Sequence, residues 1–408
     1  MNPITPRPLI RGFMLAALLG SASLAAPLAA KTITVTAGGN AQEKVQTALI
    51  DAQPGDVVEL GAGRYEFTDG LSLDVDKVTV RGAGADKTIL SFKGQKGSGE
   101  GLLVTSDDVL LRDFAVEDSK GDGIKAKGST NITFYKLAVT WTGGPKETNG
   151  AYGVYPVSST NVLVDSVTVS GASDAGIYVG QSKNIIVRNS TAHYNVAGIE
   201  IENSYDADVH NNVATHNTGG ILVFDLPNLP QMGGRNINVF ANKISNNDTP
   251  NFAPKGNIVA TVPNGTGVLI MANENVHIFD NEISDNATTN ILIAGYRAPF
   301  EDKNYNPVSR NVVVYNNKLG RAGWAPGPQF PGGADLASAF GGQLPPVIWD
   351  GTGSGIHIHE SPALSLGLAS PSADLSTIKP QPIAPAGAVD VVKPTRITLP
   401  QAMEDAIK

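Results

Sequence analysis

The chain has 408 residues, with 38 acidic against 30 basic side chains and a formal net charge of −8. Its 45 glycines and 26 prolines accompany only 17% charged and 6% aromatic residues, a turn-dense composition that argues against a helical enzyme. With no cysteine, disulfides, thiolate metal sites and a lipidated cysteine are excluded, and the acidic balance offers no diffuse attraction to nucleic acid or anionic lipid.

Arg7 and Arg11 precede an apolar run from Gly12 to Leu24, followed by small residues before Lys31. A basic start, a short apolar core and a small-residue exit predict a secretory signal peptide over residues 1–30, hence a periplasmic or extracellular protein. The run is short for a bilayer span, and no later segment predicts insertion of the mature chain in a membrane. Cleavage after Ala30 removes two arginines and no acid, taking the charge from −8 to −10.

TITVT at 32–36 predicts a first strand. Asn40 is placed to cap a helix over 41–52 whose Ala41, Val45, Ala48, Leu49 and Ala52 share one face, with Pro54 and Gly55 as the stop. DVVEL, RYEF, LSLDV, KVTVRG and TILSF follow as short strands.

From residue 123 a repeat takes over. Gly123, Gly153, Gly176, Gly198 and Gly220 open the runs GIKAKGS, GVYPVSS, GIYVGQS, GIEIENS and GILVFDL, and three of the four intervals are 22 or 23 residues. The pattern resumes at Gly267 (GVLIMAN) and again at Asn290 (NILIAGY). Eight residues after four of the glycines, Asn131, Asn161, Asn184 and Asn275 introduce a second apolar triplet, and a third, weaker run follows. Three alternating runs per period, parted by Gly, Asn, Asp and Ser, predict three strands and three turns per unit. Such a unit cannot bury its own apolar face and must stack on copies of itself. The expected fold is all-β: a parallel β-helix over residues 31–320, eight to eleven coils and on the order of 40–50 Å long, with the helix at 41–52 as the lid on its raw end. The asparagines read as a turn ladder satisfying backbone groups.

Alternation puts Ile199 and Ile201 of GIEIENS inside and Glu200 and Glu202 outside. The same register gives two outward columns: Lys125, Tyr155, Tyr178, Glu200, Leu222, Leu269, and Lys127, Val157, Gly180, Glu202, Phe224, Met271. Asn203 and Asp225 lie just beyond. Long inserts at 142–152, 226–235, 246–266 and 296–308 flank this first sheet and are expected to wall a groove along it. In that groove Glu200, Glu202 and Asp225 are the candidate acid–base residues, since paired carboxylates suit glycoside chemistry. Asp225 with Glu202 one coil below also suggests a Ca²⁺ site. Tyr155, Tyr178 and Phe224 are candidate sugar platforms, with Lys125 and Lys127 as further binding residues. Arg188 and the histidines at 193, 210 and 216 read as ordinary polar positions. His357 and His359, beside Glu360, resemble a metal pair. Beyond residue 320 the chain turns rich in proline and glycine and loses the repeat. Residues 321–408 are therefore expected to be an extension, with strands possible at VIWDG and GIHIHE and a final short helix.

IDAQPGDVVELGAGRYEF and VTVRGAGADKTIL resemble the first coils of the pectin-lyase-like right-handed parallel β-helix superfamily. YGVYPVSSTNVLVDSVTVSGASDAGIYVGQSKNIIVRNS resembles, more narrowly, a family of exported bacterial β-helix repeat proteins of unknown function. The broader resemblance implies a right-handed coil and action on polysaccharide; the narrower one implies a second exported protein as partner. The superfamily's C5-epimerases carry Asp-Pro-His-Asp where this chain has Tyr155, Pro156, Val157 and Ser158, so only the proline matches. That departure speaks against their proton-exchange mechanism. Two functions stay open: binding or cleavage of a polysaccharide in the groove, and a non-catalytic scaffold in an exported complex.

Overall fold

The computed structural model describes Met1, residues 30–387 and residues 393–408; residues 2–29 of the predicted leader over 1–30 lie outside them. Short strands stack into three sheets of twelve, twelve and ten members, and each strand pairs in parallel with its counterpart one coil away. Among the described strands only Gln381–Ile383, which pairs antiparallel with Ala363–Ser365, departs from this and ends the first sheet. Valine and isoleucine at alternate positions fill the interior as a ladder, with Ile177, Ile199, Ile221, Val268 and Ile291 all fully buried in register.

The glycine period has a steric cause. A Cβ on Gly198 would lie 2.5 Å from the carbonyl oxygen of Gly220 in the next coil and 2.8 Å from the Asn217 side chain. Gly153, Gly176 and Gly220 have equally little room, so each coil closes only where no side chain intervenes.

Asn131, Asn161, Asn184 and Asn275 all take left-handed backbone angles, φ 53–59°. They form a ladder, but its bonds run between side chains: Asn161 donates to Asn131 Oδ1 at 2.7 Å and Asn184 to Asn161 Oδ1 at 2.5 Å. The asparagines that satisfy the backbone sit elsewhere, at two inner turns. Asn217 Oδ1 accepts the backbone N–H of Asn195 at 3.0 Å while its Nδ2 donates to the Ala192 carbonyl at 2.9 Å, and Asn247 and Asn286 continue the series. Asn212, Asn242, Asn281 and Asn317 form the second, and Glu360 ends it by accepting the N–H of Asn317 at 2.7 Å. Glu360 thus serves the coil end.

Ala41–Asp51 is the expected lid, with Ala41, Val45, Ala48, Leu49 and the following Ala52 buried over the first coil. Asn40 does not cap it. It takes a left-handed conformation (φ 60°) and makes no side-chain bond to the helix. Gln46 instead ties the helix to the rod by a reciprocal pair with the backbone of Ser72, at 2.9 and 3.0 Å.

The coils do not stop at residue 320. Val347–Trp349 and Ala363–Ser365 extend the first sheet, and Ser354–Ile358 adds the twelfth strand of the second. Twelve strands at about 4.8 Å make a stack on the order of 50 Å. Residues 393–408 then run back along the second sheet toward the N-terminal end. Thr395, Thr398 and Ala406 accept hydrogen bonds from Asn238, Asn184 and Arg112 in turn, and the chain closes on the helix Gln401–Asp405. No described helix is long and apolar enough to cross a membrane.

Candidate functional site

The register of the first sheet aligns Lys125, Tyr155, Tyr178, Glu200, Leu222 and Leu269 in one column and Lys127, Val157, Gly180, Glu202, Phe224 and Met271 in the other. The columns do not form one open groove. Over the coils from Gly219 to Ala294 the inserts lie down on the sheet, and Leu222, Phe224, Val259, Val262, Tyr305 and Leu344 make a second apolar cluster outside the rod. Phe224 is 1% exposed, so its ring is packing for the cover rather than an open sugar platform.

Asp225 and Asn203 hold that cover. Asp225 accepts the backbone N–H groups of Gly233 and Gly234 at 3.1 and 2.8 Å, and its own carbonyl accepts the Tyr305 hydroxyl at 2.5 Å. Asn203 binds Leu226 in both directions and donates to the Gln231 carbonyl at 2.9 Å. The Asp225 carboxyl is pushed up to about 6 by burial, against the pull of the two glycine N–H groups. An acid with both oxygens engaged this way anchors a loop.

Toward the N-terminal end the cover lifts. Tyr152, Tyr155 and Tyr178 pack with ring centroids 4.2–4.9 Å apart, and Lys125 lies 4.7 Å over the Tyr155 ring. Lys125 is held there by Glu100 at 3.0 Å and Asp122 at 3.3 Å, while Lys127 stands exposed at the strand end. The tyrosines, Asp174, Gln181 and Glu202 floor a pocket of about 420 Å³, with Leu226–Leu229, Asn257, Ile258 and Tyr296 as its walls.

Glu202 accepts the Tyr178 hydroxyl at 2.5 Å, and Gln181 reaches both groups at 3.3 and 3.5 Å. Asn257 donates to Asp174 at 3.3 Å. Burial pushes the Asp174 carboxyl up to about 7, with the Glu202 charge adding to it. Burial likewise raises Glu202 to about 7, opposed by the Tyr178 hydrogen bond and helped by Asp225. Glu200 differs from both. It is buried, neither carboxyl oxygen has a hydrogen-bond partner among the described residues, and burial followed by the charges of Asp174 and Glu202 drives its pKa far up. Glu200 lies outside the pocket lining, and Glu202 is the carboxyl group that reaches the pocket.

Sequence reading missed Asp174, Tyr152 and Asn257. The outward columns were traced from positions two and four after each glycine, whereas Asp174 and Tyr152 precede Gly176 and Gly153. Asn257 arrives from a distant insert, and no local pattern places it. Arg188 pairs with Asp165 at 2.6 Å and grips Glu404 through two bonds, at 3.0 and 2.7 Å, on the second sheet. His210 stacks on Phe240 and His216 meets Asp248 at 2.9 Å, both remote from the pocket. His359 Nδ1 lies 3.2 Å from the Ala386 carbonyl, and His357 is exposed.

Residues 100–251 match the family model described as a right handed beta helix region. The A-module of the mannuronan C-5 epimerase AlgE4 from Azotobacter vinelandii superposes with a TM-score of 0.52 at 18% identity, over 77% of this chain and 86% of that one. The A-module of AlgE6 from the same organism gives 0.47 at 16%, covering 80% and 94%. An alginate lyase from Paenibacillus sp. gives 0.38 at 16%, covering 72% and 98%. No curated protein sequence matches the chain. The protein therefore has a right-handed parallel β-helix fold, with a tyrosine- and carboxyl-lined pocket where the inserts leave the first sheet uncovered. At these identities the likeness defines the fold, and function has to be argued from the pocket.

Proposed function

We propose that the protein is exported and binds a polysaccharide in the pocket on its first sheet, with Tyr152 and Tyr155 as sugar platforms over Tyr178. One observation carries this reading: Glu202, hydrogen-bonded to Tyr178 at 2.5 Å, shares a tyrosine-walled pocket with Asp174, and both acids titrate near 7. Aromatic faces suit the apolar faces of sugar rings. A pair of acids near neutral pH can give one proton and take one, which is the requirement for general acid–base action on a glycosidic or uronic centre. The carbohydrate enzymes among proteins of this fold agree with that substrate class. Lys127, exposed at the strand end and unpaired among the described residues, is the cation toward which an acidic glycan would run, since Glu100 and Asp122 already meet the charge of Lys125.

The test is a thermal-shift panel of acidic and neutral polysaccharides, with and without Ca²⁺. A ligand at 100 times its Kd adds about 2.7 kcal/mol and produces a clear shift. Tyr155→Ala and Glu202→Gln should each abolish the shift while the chain still melts cooperatively. Retention of the shift in both variants would remove the site. Following new reducing ends and unsaturated ends in the same mixtures separates hydrolysis, elimination and plain binding. A panel with no shift at all favours a scaffold that holds a second exported protein, recovered with the tagged chain from its envelope fraction.

A further inference from the structure

Gly180 stands apart from the glycines that close each coil. It ends the strand Ala175–Gly180 on the outer face of the first sheet, in the column Lys127, Val157, Gly180, Glu202, Phe224, Met271, where every other member carries a side chain. Its backbone is not left-handed, so no turn asks for a glycine, and a side chain would favour the strand. The cause lies two residues back. A Cβ on Gly180 would fall against Tyr178 Cε1, 2.8 Å from Cζ and 2.7 Å from the hydroxyl oxygen. The Tyr178 ring therefore lies down over Gly180. Tyr152 and Tyr155 pack against that ring with centroids at 4.2 and 4.9 Å, and Tyr178 is 3% exposed, so it has little room to lift.

From this seat the Tyr178 hydroxyl reaches the next coil and donates to Glu202 Oε1 at 2.5 Å. Gln181, which follows Gly180 with a left-handed φ of 46°, donates to the Tyr178 hydroxyl at 3.3 Å and to the same Oε1 at 3.5 Å. Glu202 lines the pocket, and its Oε2 accepts no hydrogen bond among the described residues. One oxygen is held and the other is left for whatever enters.

We propose that Gly180 is a positioning residue for Glu202: the space left by its missing side chain seats the Tyr178 ring, and Tyr178 with Gln181 holds Oε1 so that Oε2 meets the ligand. This rests on the reading of the pocket as the binding site and says how its carboxyl is aimed. The titratable groups facing Glu202 are Glu200 on its own strand, Tyr178 on the strand before, Tyr152 and Tyr155 one strand further, Asp174 and Asp225 beside the strand ends, and Tyr305 from an insert. Of these, only Tyr178 reaches the Glu202 carboxyl with a hydrogen bond, and that bond favours the charged form that burial opposes.

The test follows Glu202 by carbon-13 NMR in the intact chain labelled at glutamate Cδ, its signal identified by its loss in Glu202→Gln. Gly180→Ala pushes the ring off its seat, and Tyr178→Phe keeps the ring but removes the hydroxyl. Each should raise the Glu202 titration midpoint by about one to two pH units, the size of one hydrogen bond to a charged group. Gly180→Ala added to Tyr178→Phe should raise it no further, since both changes break the same bond. Gly180→Ala should also lower the melting temperature of the parent chain but not that of Tyr178→Ala, where the ring is gone. If Gly180→Ala alone does not fold, recovery of the fold on adding Tyr178→Ala supports the same seat. An unmoved midpoint in Tyr178→Phe or Gly180→Ala, or a loss of stability that persists beside Tyr178→Ala, overturns the inference. If that result coexists with a polysaccharide shift abolished by Glu202→Gln, the binding site stands and only its alignment falls. If the midpoints move as stated but no polysaccharide shifts the melting, the hold on Glu202 stands and the saccharide reading falls.

Discussion

Glu202 keeps its proton to about pH 7 in the folded chain, against 4.5 for the free side chain, because burial disfavours its charged form. Between those two values the folded state holds a proton that the unfolded state has released. The contribution to stability is therefore fully present below about pH 4.5, is lost as the pH rises toward 7, and is absent above it. At about 1.4 kcal/mol per unit the span is on the order of 3 kcal/mol, as an upper bound for this one group. Glutamine keeps the acceptor for Tyr178 and removes the titration. Glu202→Gln should melt with the parent chain at about pH 4 and above it at about pH 8, so melting curves at the two values check the assignment. Equal melting at pH 8 would mean that Glu202 is not buried as described. Glu200 shows how far a residue's role depends on its surroundings. Alternation places both glutamates outside the coil, correctly, but it does not show that Glu200 will be roofed by side chains and inserts while Glu202 meets the pocket.

At the scale of elements, the C-terminal strap is the least expected contributor. Arg396 pairs at 2.7 Å with Asp208, whose side chain is 1% exposed, and Ile397 adds a backbone N–H to the same carboxylate at 3.1 Å. Glu404 meets Arg188 through two bonds, and Met403 packs on Leu163 and Ile186. Deleting residues 393–408 leaves a buried carboxylate short of two donors and uncovers apolar side chains on the second sheet. Bonds to charged groups are worth about 1.5–3 kcal/mol each. The shortened chain should therefore melt several degrees lower, and its second-sheet amides should exchange faster than those of the third sheet. An unchanged melting point with unchanged exchange would show that the strap adds no stability. Composition marked this segment as an extension, and its low repetitiveness gave no hint of the carboxylate it reaches. Its partners lie about 160 to 290 residues earlier in the chain, beyond any local pattern.

For the whole molecule, the decisive interactions are between neighbouring coils, so the two ends are where the rod is vulnerable. A chain beginning at Lys77 lacks the lid Ala41–Asp51 and the first strand of every sheet, and it should aggregate under conditions in which the intact chain gives one defined peak in size-exclusion chromatography. A soluble monomer from that truncation would show that the lid is dispensable. The coil itself was written in the sequence. Glycines recur because no Cβ fits against the next carbonyl, Val and Ile alternate because one face is interior, and asparagines recur because they tolerate left-handed turns. These are local, short-range requirements repeated at a fixed period, so one coil predicts the next. Tertiary structure alone decided how far the inserts fold down, that Phe224 and Asp225 serve the cover, and that Asp174 joins Glu202 across coils beside Asn257. The physical reason is that the repeat fixes backbone register along the rod, whereas burial, and with it charge state and access, is set by aperiodic loops whose contacts lie tens of residues away.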